Sequence, residues 1–198
     1  KRAQRFINEA PSTVDATYES ITRQILKQPD GIAWVILDSR IEDVPNWRRS
    51  VRSDQPPIQA ASLRELAAAL GLDPLALEAT VDDYNAACVD GPFNPLEADG
   101  LGTAPGYQPP KTHWARRIDQ GPFLAYPVIC GNCFTFGGIK INPRSQVLNA
   151  DGEPIEGLYA AGEMTGLYYA TYTGATSVLR GAVFGRIAGA QAAGRREG

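Results

Sequence analysis

Residues 157–189 combine amino-acid types that can bind an anionic or electron-rich ligand. Their pattern predicts a buried strand that carries Gly162 and Glu163 at its carboxyl end, followed by a glycine-containing loop and a helix that starts near residues 174–177. Ligands of α/β sheets bind just outside the carboxyl ends of strands. Free N–H groups at the start of a helix suit an anionic or electron-rich atom. This segment is therefore the first candidate for a binding site.

A flavin would satisfy both parts of this arrangement. The carboxylate of Glu163 can accept hydrogen bonds from ribityl hydroxyls. The N–H groups at the helix start can face the N1/O2 edge of the ring, which gains negative charge on reduction. A strand, a loop and a helix of small residues that only pack together, with Glu163 at the surface, would have the same short pattern. The pattern alone leaves both interpretations open.

Apolar spacing and capping residues predict four helices, over residues 17–27, 62–70, 73–89 and 177–193. Ser62 followed by Glu65 is a capping box for the second helix, which Gly71 ends. Asp73 caps the third helix in the same way. The fourth helix is rich in alanine and glycine, so it is expected to pack closely against its neighbours.

Short β-rich runs predict the strands, over residues 32–37, 123–128 and 158–161, with a hairpin or meander between the last two. Residues 5–9 are interpreted as a short strand or a chain crossing. Proline and glycine predict irregular structure in two long stretches, residues 39–60 and 91–110.

The composition is that of an ordinary globular chain, with 43% hydrophobic and 21% charged residues among 198. The net charge of −3 gives no basic face for nucleic acid. No apolar stretch reaches the length of a membrane span. Three cysteines are too few for a disulfide scaffold, so we expect a cytoplasmic location. The chain starts at Lys1 without an initiator methionine or a signal segment, and we interpret it as an internal fragment.

Two further features could carry chemistry. Cys130 and Cys133 form a CxxC pair, which can be a redox disulfide, half of a zinc site, or two small packed residues. The sequence has no second CxxC and its only histidine is His113, so we predict no metal site. His113 could act as an acid or base near neutral pH, or could pack against Trp114.

Several segments together resemble the fumarate reductase/succinate dehydrogenase-like family of FAD flavoproteins. Residues 157–163 (GLYAAGE) and the later phrase FGRIAG resemble its carboxy-terminal flavin signature. Residues 5–9 (RFINE) resemble the crossing from the FAD domain into the cap, residues 62–88 resemble the helical pair of the cap, and residues 134–163 resemble the return. Residues 109–128 and FTFGG look closest to the tricarballylate dehydrogenase-like branch. These segments also resemble flavoproteins related to the precorrin-3B synthase of cobalamin synthesis.

The resemblance implies an α/β plus α+β fold, the carboxy-terminal part of a Rossmann-like FAD-binding domain joined to an α+β cap, or substrate domain. Residues 1–10 would cross from the FAD domain, residues 11–118 would form the cap, and residues 119–198 would complete the FAD-binding domain. The family's phosphate-binding GxGxxG belongs to an amino-terminal βαβ unit, and no such motif follows a strand here. The pyrophosphate and adenosine sites are therefore expected outside this sequence.

The implied function is that of an FAD-dependent oxidoreductase acting on the CH–CH bond of a polycarboxylate such as tricarballylate, with hydride transfer through flavin N5. The electron acceptor is unknown, and an iron–sulfur or membrane-linked partner protein is compatible with the resemblance. Two alternatives stay open: a flavoprotein related to precorrin-3B synthase, and a non-catalytic binding or assembly module. The fragment alone is expected to be inactive and to self-associate through apolar faces that the missing part would cover.

Departures from the family affect its catalytic residues. Fumarate reductases carry an arginine that grips a substrate carboxylate in the loop before the last helix, and Tyr172 aligns with it. The family's substrate histidine falls near Cys133 and Phe134, and no arginine occurs at residues 12–14, where the resemblance places the proton donor. The proton-handling group is therefore not assigned.

Two sets of binding residues are expected. The residues expected at the cofactor are Gly162, Glu163, Gly174, Ala175, Thr176, Ser177 and Val178. The residues expected at the substrate are Lys111, Arg116, Arg117, Tyr172 and Thr135. The cations among them suit a polycarboxylate, although a charge cluster such as KTHWARR is usually a solvated turn.

Overall fold

The computed structural model describes residues 2–51, 53, 55–131, 135–168, 172 and 174–194. The chain divides into two compact units, Lys1–Cys130 and Gly131–Gly198, called here the first and the second unit. The boundary predicted after residue 118 lies inside the first unit. Among the described residues, none of the helices is both long and apolar enough to cross a membrane.

The first unit contains a three-stranded sheet and four helices among its described residues. The helices are α1 (Val14–Leu26), α2 (Trp47–Ser50), α3 (Leu63–Ala69) and α4 (Pro74–Ala87). The strands are β1 (Ile32–Leu37), β2 (Ile58–Ala60) and β3 (Phe123–Ile129). Two 3-10 helices, Pro29–Gly31 and Ser39–Asp43, flank β1.

The sheet has the order β1-β3-β2, with both pairs antiparallel. Strand β3 enters between two strands that precede it by more than sixty positions, with Ile32 opposite Ile129 and Ile58 opposite Ala125. Alternate side chains of a strand share one face, and the face of β3 that carries Phe123 and Ala125 packs on α3. The buried cluster consists of Leu66, Leu70, Phe123 and Ala125.

The predicted starts of α3 and α4 are confirmed. Ser62 Oγ accepts from the Glu65 N–H at 3.2 Å, and the Glu65 carboxylate accepts from the Ser62 N–H at 3.2 Å, which completes the capping box. Asp73 accepts from the N–H of Leu75 at 3.0 Å. An ion pair between Arg64 and Glu78, 2.6 Å long, links the two helices.

Two predictions for the first unit are wrong in part. Residues 39–60, expected to be irregular, contain a 3-10 helix, α2 and β2. Strand β2 forms because it pairs with β3, a partner distant in sequence that local proline content cannot reveal. Residues 5–9 form no strand; there Arg5 lies 5.1 Å and 5.5 Å from the ring centroids of Tyr84 and Tyr107 and donates to the Pro109 carbonyl at 2.6 Å.

Asp38 ties the end of β1 to the chain that leads into β3. It is buried and accepts hydrogen bonds from the N–H groups of Asp119 and Gln120, each 3.1 Å long, and from Arg40. Removal of this carboxylate would leave several donors without an acceptor. Asp38→Ala is therefore expected to lower the unfolding free energy of the first unit by about 3 kcal/mol.

Urea denaturation followed by tryptophan fluorescence measures this loss. All three tryptophans, Trp34, Trp47 and Trp114, lie in the first unit, so the signal reports on that unit. Asp90→Ala is the matched control, because the Asp90 side chain is 86% exposed. A midpoint for Asp38→Ala equal to that of the control would refute the structural importance of Asp38.

The second unit contains a hairpin and a long helix among its described residues. Strand β4 (Gln146–Leu148) pairs antiparallel with β5 (Pro154–Tyr159), and a 3-10 turn, Gly162–Met164, follows. Helix α5 (Thr176–Gly194) ends the described chain. The strand predicted over residues 158–161 forms as β5, which starts earlier and ends at Tyr159. Its predicted burial is wrong: β5 is largely exposed, because it pairs only with β4 among the described residues.

Candidate functional site

The turn after β5 presents Glu163. Ala160 is buried below it, and Gly162 has a φ of +78°, a left-handed conformation that favours glycine. The chain therefore bends sharply into the 3-10 turn that carries Glu163. This places Glu163 just beyond the strand end, as the sequence predicts.

The segment after residue 134 lies directly against this turn. Ile139 forms a parallel bridge with Thr165; its N–H donates to the Met164 carbonyl at 2.8 Å, and its own carbonyl accepts from Gly166 at 3.1 Å. A Cβ atom on Gly138 would lie 2.5 Å from the Met164 oxygen. The close approach of two backbones therefore requires glycine at this position.

Glu163 is held by donors from two directions. Its Oε2 accepts from the Thr135 N–H at 3.3 Å, and its backbone carbonyl accepts from Thr135 Oγ1 at 2.9 Å. Its Oε1 pairs with Nη2 of Arg180 at 2.5 Å. The Glu163 side chain is 44% exposed, whereas that of Arg180 is 1% exposed. Glu163 is thus a partly exposed carboxylate that is paired with a buried cation.

The start of α5 is occupied by Tyr172. Its hydroxyl lies 2.7 Å from Ser177 Oγ and accepts from the Ser177 N–H at 3.3 Å. The Ser177 hydrogen bond lowers the pKa of the Tyr172 phenol below its ordinary value. At least one N–H at the helix start, expected to be free, therefore already has a partner within the chain.

The electrostatics of the cluster favour an ionised Glu163. Partial desolvation by itself would raise the pKa of the Glu163 carboxyl, but hydrogen bonds from Arg180 and the Thr135 N–H outweigh it and hold that pKa below its ordinary value. An ionised carboxylate can accept about four hydrogen bonds. Since Glu163 stays partly exposed, it keeps capacity for donors from outside the chain.

The structure brings most of the second-unit candidates together. Thr135, Glu163, Tyr172 and Ser177 form one connected cluster. The other predicted cofactor residues lie beside it in sequence at the turn or the helix start, namely Gly162, Gly174, Ala175, Thr176 and Val178. The sequence prediction missed Arg180, whose only signal is a charge within an alanine- and glycine-rich helix.

The basic candidates of the first unit do not share a partner. Lys111 pairs with Glu9 at 3.1 Å, Arg117 pairs with Asp90 at 3.0 Å, and Arg116 pairs with Asp43 at 2.7 Å. A substrate carboxylate would therefore have to compete with a carboxylate of this chain for each cation.

The remaining candidates have ordinary packing contacts. His113 Nδ1 accepts from the Gly100 N–H at 2.8 Å, and its ring lies 5.5 Å from that of Trp114. Cys130 Sγ donates to the Thr22 carbonyl at 3.1 Å, while Cys133 lies outside the described residues. Within the described ranges, no group of three or more His, Cys, Asp or Glu side chains could hold a metal ion.

Gly138→Ala is expected to disturb the site through the backbone. The added methyl would meet backbone atoms that cannot move aside, so we expect a loss of about 1–3 kcal/mol in the stability of the second unit and weaker cofactor retention. Gly137→Ala is the matched control, since a Cβ at Gly137 meets nothing within 4 Å. Thermal unfolding followed by circular dichroism compares the two; equal melting temperatures would contradict the packing argument.

Comparison with known proteins identifies the class. Residues 1–179 match the family described as FAD binding domain. A probable fumarate reductase of Shewanella frigidimarina (strain NCIMB 400) is 32% identical over 194 residues, which cover 98% of this chain and 30% of that protein. The open conformation of a flavocytochrome c3 fumarate reductase has a TM-score of 0.70 and 29% identity, covering 97% of this chain and 31% of that one.

A second solved structure broadens the comparison. The 3-ketosteroid-Δ4-(5α)-dehydrogenase of Rhodococcus jostii RHA1 has a TM-score of 0.61 and 30% identity, covering 97% of this chain and 37% of that one. The fold is thus that of fumarate reductase-like flavoproteins with mixed α and β structure. The chain belongs to the FAD binding domain family, and it spans about a third of the length of these relatives.

Proposed function

We propose that this chain is the carboxy-terminal part of an FAD-dependent oxidoreductase that acts on a carbon–carbon bond next to carboxylates. The observation that carries the proposal is the partly exposed Glu163 carboxylate beyond β5, clustered with the start of α5. When bound, FAD supplies the hydride-transfer chemistry. The protein that contains this chain together with the remaining part of the fold is called the full-length protein below.

Glu163 would accept hydrogen bonds from the hydroxyls of FAD. Gly162 permits the turn that presents it, and the residues at the start of α5 would face the electron-rich edge of the cofactor. Those residues are Gly174, Ala175, Thr176, Ser177 and Val178. The pyrophosphate and adenosine parts of FAD would be held by residues outside this chain, because the chain has no GxGxxG after a strand.

The proposed assignment of residues to domains follows the family resemblance. Residues 1–10 would cross from the FAD-binding domain, residues 11–118 would form the α+β cap, and residues 119–198 would complete a Rossmann-like FAD-binding domain. The compact units divide later, after Cys130, because β3 pairs with β1 and β2.

The proposed substrate is a polycarboxylate such as tricarballylate. The names of the fumarate reductases related to this chain support a carboxylate substrate for it. In the first unit, Lys111, Arg116 and Arg117 would bind carboxylates, with displacement of their present partners. In the second unit, Tyr172 and Thr135 are proposed as substrate residues. The proton-handling group stays unassigned.

The electron acceptor is proposed only by its class, and the cellular location by the cysteine content. The flavocytochrome relative supports cytochrome-linked electron transfer, and an iron–sulfur or membrane-linked partner protein is proposed as the electron acceptor. We expect cytoplasmic location from the low cysteine content. Cobalamin-related chemistry, as in relatives of precorrin-3B synthase, is the alternative activity.

A substrate panel tests the proposed reaction. Purified full-length protein would be mixed anaerobically with tricarballylate, succinate, a 3-ketosteroid or a precorrin, and bleaching of the flavin absorbance would be followed. We expect bleaching with a polycarboxylate only. Bleaching by the steroid or the precorrin alone, or by none of the four, would contradict the proposed substrate class.

The isolated chain is expected to self-associate. Val178 and Leu179 on α5 are 78% and 62% exposed, and Leu158 on β5 is 46% exposed. Apolar surfaces of this kind usually mark contacts with other protein. Light scattering should show oligomers of the chain, and Val178→Ser with Leu179→Ser should shift them toward monomer. A parent chain that stays monomeric at high concentration would refute this prediction.

A further inference from the structure

Arg180 is a buried cation near the start of α5. Its side chain is 1% exposed, and its Nη1 donates to the Thr165 carbonyl at 2.9 Å while its Nη2 pairs with Glu163. Burial of a guanidinium costs free energy unless hydrogen bonds and an opposite charge compensate it. A buried arginine in this place therefore costs free energy, and its two hydrogen-bond acceptors, Glu163 and the Thr165 carbonyl, lie in the turn and directly after it.

The contacts of Arg180 connect two elements of the second unit. The guanidinium joins α5 to the 3-10 turn Gly162–Met164 and to Thr165 just after it. Its Cζ also lies 4.9 Å from the ring centroid of Tyr168. The Nε atom is buried and has no hydrogen-bond partner among the described residues, so the arrangement does not satisfy the arginine fully. It does satisfy and orient one oxygen of Glu163.

We propose that Arg180 is the positioning residue of the flavin site, which holds the Glu163 carboxylate ionised and in the orientation that accepts hydrogen bonds from FAD hydroxyls. This inference rests on the proposed binding of FAD by Glu163. Arg180 acts through Glu163, and its loss would be felt as weaker cofactor binding with a changed dependence on pH.

The groups that face Glu163 determine that pH dependence. Among the described residues, Arg180 from α5 is the cation, Tyr172 is the other titratable group, and Thr135 and Ser177 supply neutral donors. Above its lowered pKa Glu163 is ionised, and the acceptor is lost as the pH falls through that pKa. Without Arg180, desolvation would be opposed by neutral donors alone. Glu163 would then take up a proton at a higher pH than in the parent. As the pH is lowered, FAD binding would therefore begin to weaken earlier, at a pH above that seen in the parent.

The test is the dissociation constant of FAD for the full-length apoprotein, measured from flavin fluorescence between acid and neutral pH. We expect Arg180→Met to weaken binding about tenfold or more at neutral pH and to move the acid limb to higher pH. Arg180→Lys should restore part of the affinity, because an ammonium keeps the charge but not the fork of donors. Arg144→Met, at an exposed site of the second unit outside the proposed flavin site, should behave like the parent.

Glu163→Gln separates failure of this inference from failure of the proposed function. If Glu163→Gln binds FAD like the parent at every pH, Glu163 does not hold the cofactor and both ideas fail. If Glu163→Gln weakens binding while a folded Arg180→Met keeps the parent's affinity and acid limb, only the role of Arg180 is overturned. If Arg180→Met does not fold, the decision rests on Arg180→Lys, and a parent-like affinity and acid limb in that variant would overturn the role.

Discussion

Glu163→Ala in the full-length protein is expected to weaken FAD binding by about tenfold or more, because an ionised acceptor of several hydrogen bonds is removed. The carboxylate stands at the exposed end of the cluster, with one oxygen oriented by Arg180 and the other by Thr135. Equilibrium titration of the apoprotein with FAD measures the effect directly.

Two variants distinguish cofactor binding from a structural effect of this substitution. Glu163→Ala also leaves the buried Arg180 without its carboxylate, so thermal unfolding of the apoprotein must be measured alongside. Glu163→Gln keeps a neutral acceptor of similar shape and should bind FAD with intermediate affinity. Glu153→Ala, at an exposed position in the turn between β4 and β5, is the matched control. Parent-like affinity in a folded Glu163→Ala protein would remove Glu163 from the flavin site.

Replacement of Arg116 or Arg117 by alanine is expected to lower kcat/KM for the polycarboxylate by about 2 kcal/mol or more, roughly thirtyfold. The loss arises because the substrate carboxylate would remain enclosed without its cation. Arg117 is the more available of the two: its side chain is 46% exposed and its partner Asp90 is 86% exposed. Arg116 also donates to the Arg40 carbonyl at 2.6 Å, so part of its loss would appear in stability.

Measurements that do not involve the polycarboxylate show whether the arginine variants keep an intact flavin site. Flavin content and reduction by a small artificial reductant should match the parent, and a lysine replacement should recover only part of kcat/KM, since a point charge cannot reproduce a bidentate fork. Steady-state kinetics of the full-length enzyme with the acid found in the substrate panel give the values. If both alanine variants turn over the acid like the parent, the cluster is a solvated turn and the carboxylates are bound elsewhere.

The parts of the fold that depend on local sequence were predictable. The capping box of Ser62 with Glu65 and the cap at Asp73 fix their helix starts through contacts a few residues apart. Strand β2 was not predictable, because its pairing with β3 joins residues far apart in the chain. The burial of β5 was overestimated for a related reason: an apolar strand is buried only where a partner covers it, and Leu158 is 46% exposed here.

The candidate site divides in the same way. Glu163 and the start of α5 were predicted because strand, turn and helix follow one another in sequence. Arg180 was missed because its partner lies 17 residues away and the contact depends on the packing of α5 against the turn. The pairing of Lys111, Arg116 and Arg117 with three different carboxylates is likewise a tertiary property, which a run of basic residues does not reveal.

The visible absorbance spectrum of purified full-length protein tests the central claim most directly. If this chain completes an FAD-binding domain, the protein should be yellow, with a flavin band at about 450 nm, and heat or acid should release FAD in stoichiometric amount. A folded, colourless protein that takes up no FAD on titration would contradict the account.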